Sequence, residues 1–75
     1  MKGVKYNLIF TLPNNDKISH NELFMNDLVE TIEKEFEKNY FIKPKLSNYL
    51  VYNIMKRPHK ASKMLTERIK ICRCE

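Results

Sequence analysis

The sequence predicts a small α+β domain with the order strand, helix, helix and strand, with or without a short third helix before the last strand. Three observations predict it: alternating apolar residues near the N-terminus, apolar residues at helical spacing in the middle, and a second alternation near the C-terminus. A chain of 75 residues is enough for one domain, which buries only about 60–65% of its unfolded surface. We therefore expect a single domain over residues 1–75, with a two-stranded sheet covered by helices.

Residues 4–12 form the first predicted strand, because apolar side chains recur there at every second position. These side chains belong to Val4, Tyr6, Leu8, Phe10 and Leu12. The residues between them are mixed, which is typical of a sheet covered on one face. Pro13 ends the strand, and residues 13–16 predict a turn because Pro, Asn and Asp favour turn geometry.

The first helix is predicted to begin at a capping box formed by Ser19 and Glu22. Ile18 and Leu23 would pack on each other across this box as a hydrophobic staple. The helix then extends to about Lys38. Its apolar face follows the spacing of 3 and 4 residues and consists of Met25, Leu28, Val29, Ile32 and Phe36.

The opposite face of this helix is acidic and is interpreted as a solvated surface. It carries Asp27, Glu30, Glu33 and Glu37, together with Lys34 and Lys38. Glu30 and Lys34 have the spacing of a favourable i,i+4 ion pair. Because no histidine stands at ligand spacing, we expect neither catalysis nor metal binding from these carboxylates. Docking of a basic partner on this face is the alternative.

A second helix of about ten residues is predicted after a connection over residues 39–45. Ser47 is its N-cap, with Leu46 and Val51 as a second staple. Pro58 ends or bends this helix because it disfavours the α conformation at the residue before it. The apolar face consists of Leu50, Val51, Ile54 and Met55.

Residues 59–66 predict either a loop with one helical turn or a short third helix that has Pro58 at its first position. Residues 68–74 alternate and predict the final strand, with Ile69 and Ile71 in the core. The two strands would pair with each other beneath the helices. Because such a sheet leaves both edges open, a homodimer through a sheet edge is an alternative.

Charge divides the chain in two. The net charge is +5 for the whole chain, with −2 in residues 1–38 and +7 in residues 39–75. Lysine and arginine side chains neutralise phosphates and release counterions, which gives affinity for nucleic acid independent of base sequence. The basic half therefore predicts an anionic partner, either DNA or RNA or an acidic protein surface.

The candidate nucleic-acid-binding residues lie between the second helix and the last strand. Two tyrosines could stack on bases or bind phosphate, and the basic side chains could contact phosphates. The set is Tyr49, Tyr52, Lys56, Arg57, His59, Lys60, Lys63, Arg68, Lys70 and Arg73. A helix–turn–helix over residues 46–56 and 59–67 is one version of this hypothesis. A solvated basic surface without a ligand, or contact with an anionic membrane surface, also fits the composition.

Enzymatic and metal-dependent functions are not predicted. Gly3 is the only glycine, so a phosphate-cradling glycine-rich loop is excluded. Cys72 and Cys74 are interpreted as reduced thiols, because His20 and His59 do not stand at zinc-ligand spacing from them. Without a signal peptide or a long apolar run, we expect a cytoplasmic protein, or a nuclear one in a eukaryote.

The sequence thus favours a non-enzymatic nucleic-acid-binding module, without cofactor or metal, that contacts phosphates through residues 56–73. The alternative is a small protein-interaction module, either an inhibitor or an assembly subunit, that uses the charge-polarised surface. Chains of this size and composition occur among phage and viral accessory proteins, and the alternative includes such a role.

Overall fold

The computed structural model describes residues 3–74 and, within them, an α+β domain with a three-stranded antiparallel sheet and three α-helices. The strands are β1 (Tyr6–Thr11), β2 (Lys17–Leu23) and β3 (Ile69–Arg73), in the order β2-β1-β3. The helices are α1 (Met25–Tyr40), α2 (Asn48–Lys56) and α3 (Lys63–Arg68), and Pro58–Lys60 forms a 3-10 turn before α3.

The predicted pairing of the first and last strands is confirmed. Phe10 lies opposite Ile69, and Leu8 lies opposite Ile71, in an antiparallel ladder. The predicted alternation of β1 is also confirmed, since Tyr6, Leu8 and Phe10 are buried while the residues between them are half-buried. The prediction of a two-stranded sheet is wrong, because β2 pairs with the other side of β1.

The strand β2 overturns the predicted capping box and staple at residues 18–23. Residues 17–23 form an antiparallel hairpin with β1, in which Phe10 lies opposite Ile18 and Leu8 lies opposite His20. Glu22 has a φ of 58°, which is left-handed and does not fit the third position of a helix. Pairing satisfies a whole row of backbone groups, whereas a capping box satisfies only two.

The predicted turn at residues 13–16 closes this hairpin. The Leu12 amide donates to the Asp16 carbonyl at 2.7 Å, and the Asn15 amide donates to the Leu12 carbonyl at 2.8 Å. The Asp16 amide also donates to Oδ1 of Asn14 at 2.9 Å. These bonds use the side-chain chemistry for which Asn and Asp are favoured in turns.

Helix α1 keeps its predicted apolar face, although it begins at Met25 and continues two residues beyond Lys38. Leu28, Val29, Ile32 and Phe36 are buried, and Met25 is half-buried. The helix ends with Phe41 in the left-handed conformation, at φ 58° and ψ 31°. The Phe41 amide donates to the Glu37 carbonyl at 3.2 Å, which is the 5→1 bond of the αL C-cap motif, and the Ile42 amide donates to the Phe36 carbonyl at 3.5 Å.

The predicted N-cap of α2 is confirmed, because Ser47 Oγ accepts from the Leu50 amide at 3.1 Å. Val51 and Ile54 are buried and Met55 is half-buried, whereas Leu50 is exposed. The break at Pro58 is also confirmed, since α2 ends at Lys56 and Pro58 begins the 3-10 turn. Helix α3 then places Leu65 in the core.

The core lies between one face of the sheet and the helices. The rings of Phe10 and Phe36 meet edge to face with their centroids 5.0 Å apart. Tyr40 closes one end, where its hydroxyl donates to the Thr11 carbonyl at 2.7 Å. In residues 3–74, no helix combines the length and the apolar composition that crossing a membrane requires.

Candidate nucleic-acid interface

Five of the predicted binding residues form a continuous basic segment, which we call the basic junction: Lys56, Arg57, His59, Lys60 and Lys63. The junction covers the end of α2, the 3-10 turn and the first residue of α3, and all five side chains are exposed. Its backbone is held by bonds from the Arg57 amide to the Asn53 carbonyl at 2.8 Å and from the Lys60 amide to the Arg57 carbonyl at 3.0 Å. The positive groups therefore project from an ordered turn.

The charges of the basic junction have no carboxylate partner in residues 3–74. The ion pairs found there involve four other basic residues, namely Lys5, His20, Lys34 and Lys43, with Glu22, Glu35, Glu30 and Glu37 respectively. The predicted Glu30–Lys34 pair is among them, at 3.4 Å. Three of these pairs lie within residues 1–38 and the fourth joins Lys43 to Glu37, so the positive charge of the junction remains available to an anion.

Tyr49 and Tyr52 lie on the solvent-facing side of α2, next to the junction. Tyr49 is 76% exposed and Tyr52 is 46% exposed. Lys56 follows one turn later, with its Nζ atom 5.1 Å from the centroid of the Tyr52 ring. The spacing of three and four residues places all three side chains on one helix face, so aromatic and positive groups form one surface.

Arg68, at the end of α3, is set apart from the basic junction by a contact of its own. Its guanidinium carbon lies 5.3 Å from the centroid of the Tyr40 ring, and its side chain is half-buried. The stacked guanidinium therefore helps to attach α3 to the end of α1.

Lys70 and Arg73 are carried by β3 and point to different sides of the sheet. Lys70 pairs with Ile9, whereas Arg73 lies opposite Tyr6 at the other end of the strand. A groove of about 610 Å³ has both Lys70 and Pro58 in its lining, which joins this lysine to the basic junction by a continuous surface. Arg73 lies about 13 Å along the strand from Ile69, and therefore lies away from the end of β3 that adjoins α3.

The second helix of the helix–turn–helix alternative does not form as that version requires. Residues 59–67 are divided between the 3-10 turn and α3, which has six residues and is about 9 Å long. β3 begins directly after it, at Ile69. We therefore retain the phosphate-contact hypothesis and discard insertion of a recognition helix over residues 59–67.

A cluster that the sequence did not reveal joins His20, Glu35 and Asn39. Glu35 Oε2 lies 2.8 Å from His20 Nε2, and its Oε1 accepts from Asn39 Nδ2 at 2.8 Å. Glu35 is buried, unlike the carboxylates of the predicted acidic face. Every buried side-chain nitrogen and oxygen in residues 3–74 has a hydrogen-bond partner, so the cluster is a satisfied link between β2 and α1.

The two cysteines are free thiols near the end of β3. Cys72 is exposed, and the Cys74 thiol donates to Asn7 Oδ1 at 3.3 Å. Across residues 3–74, no group of three or more His, Cys, Asp or Glu side chains is arranged to hold a metal ion.

Comparisons of the chain with protein-family models, with curated proteins and with solved structures found no match. A function for the chain is therefore inferred from the charge, exposure and arrangement of its side chains.

Proposed function

We propose that this protein is a non-enzymatic nucleic-acid-binding module that contacts phosphates through the basic junction. One observation supports the proposal most strongly: five neighbouring basic residues are exposed, and no carboxylate in residues 3–74 pairs with them. Unpaired lysine and arginine side chains are the groups that replace counterions along a phosphate backbone.

The arrangement of the junction fits a phosphate backbone better than a single small anion. Its side chains extend from α2 through the turn into α3, and so present positive charge along a line rather than around one point. Lys70, which shares a groove with Pro58, extends this surface onto the sheet. Such contacts supply affinity without base readout.

Salt dependence provides the direct test. Labelled single strands and duplexes are titrated with the protein while fluorescence anisotropy is recorded at several salt concentrations. Phosphate contacts from the four lysine and arginine residues of the junction and from Lys70 predict a loss of affinity of about 10²–10³-fold between 50 and 200 mM salt. Because even non-specific binders reach about 10⁻⁴ M at physiological salt, absence of binding at low salt and ~100 µM protein would reject the proposal.

A protein-interaction module, acting as an inhibitor or an assembly subunit, is the second candidate, and it is favoured by Phe41. This ring is 88% exposed, whereas large aromatic side chains are usually buried to a high degree. The edge strands are less suited to forming a homodimer, since β2 has a register shift near Glu22 and β3 carries Lys70 and Arg73. Bulges and charged residues protect sheet edges from pairing.

Sedimentation velocity over a range of protein concentrations tests self-association. A dimer that dissociates when Phe41 is replaced by serine would support the second candidate in its homodimeric form. Sedimentation as a monomer at every concentration would exclude that form.

A further inference from the structure

We propose that the preferred ligand is single-stranded nucleic acid, whose unpaired bases stack on the rings of Tyr49 and Tyr52. This inference rests on the proposed function and specifies the ligand of the same surface. Single-strand binders combine a positive surface that follows the backbone with aromatic side chains on which bases stack. Both components are present on α2 and the basic junction.

The four tyrosines of the chain divide into two pairs. Tyr6 is buried under the helices, and Tyr40 is half-buried with its hydroxyl bonded to the Thr11 carbonyl. Tyr49 and Tyr52 instead expose 76% and 46% of their surface. The fold uses the first pair for packing and leaves the second pair open to a ligand.

The spacing of the exposed pair suits two neighbouring bases. Residues three apart in a helix are neighbours on its surface and are displaced by about 4.5 Å along its axis. The Cβ atoms of such residues are about 5–6 Å apart, a distance that two neighbouring bases of a single strand can span once they are unstacked from each other. Tyr49 and Tyr52 can therefore each receive one of two consecutive bases.

Lys56 then connects the stacked bases to the basic junction. Its Nζ atom lies over the Tyr52 ring at 5.1 Å, on the side of α2 that leads to Arg57 and Lys60. A base that stacks on this face of the Tyr52 ring displaces the Lys56 ammonium group, which can then contact the phosphate next to that base. The exchange is favourable, because a cation–π contact at an exposed site is weaker than base stacking.

A duplex cannot use the same rings, because its base faces are already stacked inside the helix. Reading a duplex through its groove requires an inserted helix or ribbon. Helix α3 has only six residues, and α2 keeps Val51 and Ile54 in the core. A duplex offers its phosphates to the junction but no free base faces, whereas a single strand offers both phosphates and base faces for stacking.

The test compares an unstructured single-stranded oligonucleotide with a duplex of the same length, both at low salt. The wild-type protein should bind the single strand more tightly. The double variant Tyr49→Leu/Tyr52→Leu should lose about 30-fold or more of its single-strand affinity, while its duplex affinity stays within about twofold. Circular dichroism confirms that each variant is folded, and Phe41→Leu, which removes an exposed ring outside α2, should bind like the wild type.

The double variant Tyr49→Phe/Tyr52→Phe separates stacking from hydrogen bonding. It keeps both rings and should retain single-strand affinity. A loss equal to that of the leucine variant would mean that the hydroxyls bind phosphate, which overturns the stacking proposal. Because the chain contains no tryptophan, quenching of tyrosine fluorescence by the single strand provides a second readout, and this quenching should disappear in the phenylalanine variant.

The outcomes distinguish this inference from the proposed function. Equal, salt-sensitive binding of single strand and duplex would overturn the inference and leave the phosphate-binding function intact. Wild-type affinity of the leucine variant for the single strand would do the same. Absence of binding to either nucleic acid would reject both.

Discussion

His20 Nε2 lies 2.8 Å from Glu35 Oε2, and this contact ties the edge strand β2 to helix α1. Glu35 is 9% exposed, and burial of a carboxylate without hydrogen-bond partners is costly. Its other oxygen accepts from Asn39, so both oxygens are satisfied. The contact explains why a histidine occupies a position of β2 that pairs with the buried Leu8.

Replacing His20 with alanine should lower the free energy of unfolding by about 1–3 kcal/mol, because it leaves a buried carboxylate oxygen without its partner. Urea unfolding followed by circular dichroism measures the change. The exposed Glu30–Lys34 pair provides a matched control, and Glu30→Ala should cost less than about 0.5 kcal/mol. Equal costs for the two variants would show that the His20–Glu35 contact contributes no more than a surface ion pair.

The two serines that precede helices should respond differently to replacement by alanine. Ser47 accepts from the Leu50 amide, whereas Ser62 makes no side-chain cap bond at the start of α3. Ser47→Ala should therefore lower stability by about 1 kcal/mol, and Ser62→Ala by clearly less. Thermal and urea unfolding of both variants test this, and a larger loss at Ser62 would contradict the assignment of the cap.

Phe41→Gly should stabilise the protein although it removes a large side chain. Phe41 adopts φ 58° and is 88% exposed, so the substitution removes left-handed strain and gives up little burial. Relief of this strain, which is about 1–2 kcal/mol for a residue with a Cβ, outweighs the added freedom of glycine in the unfolded chain, about 0.5–1 kcal/mol. The net gain should be a few tenths to about 1 kcal/mol in urea unfolding.

The control for this substitution is Lys38→Gly, at an exposed position inside α1. There glycine should cost about 1 kcal/mol. If Phe41→Gly destabilised the protein as much as Lys38→Gly, Phe41 would have to contribute packing that its exposure does not indicate.

Neutralising the basic junction should weaken nucleic-acid binding and its dependence on salt. The triple variant Lys56→Gln/Arg57→Gln/Lys60→Gln should reduce the magnitude of the slope of log K against log salt concentration by about 2–3. The matched variant Lys34→Gln/Lys38→Gln/Lys43→Gln removes the same charge from exposed positions elsewhere. Its slope should change less, whereas equal changes would mean that net charge alone controls binding.

The elements predicted correctly are those whose determinants lie close together in the sequence. The alternation of β1, the apolar face of α1 and the break at Pro58 all involve residues within one strand or a few helical turns. The Ser47 cap requires only the amide three residues later. Such patterns are visible before any tertiary contact is known.

The strand β2 is not evident from the sequence because its residues fit two structures. Ser19 and Glu22 have the spacing of a capping box, while Ile18 and His20 point to the same side of a strand. The inward-facing histidine conceals the alternation, and its partner Glu35 lies fifteen residues away. Two long-range contacts favour the strand over the capping box: β2 pairs with the free edge of β1, and His20 gives the buried Glu35 carboxylate a partner.

Sequence alone was enough to establish that the chain is an α+β domain, that its positive charge lies in the C-terminal half, and that the second helix ends before Pro58. Tertiary contacts were needed to establish that the sheet has three strands and that Arg68 packs on Tyr40, apart from the basic junction. The physical reason is the range of the interactions involved. Propensity, capping and periodicity act over a few residues, whereas strand pairing and buried polar contacts join segments that only the folded chain brings together.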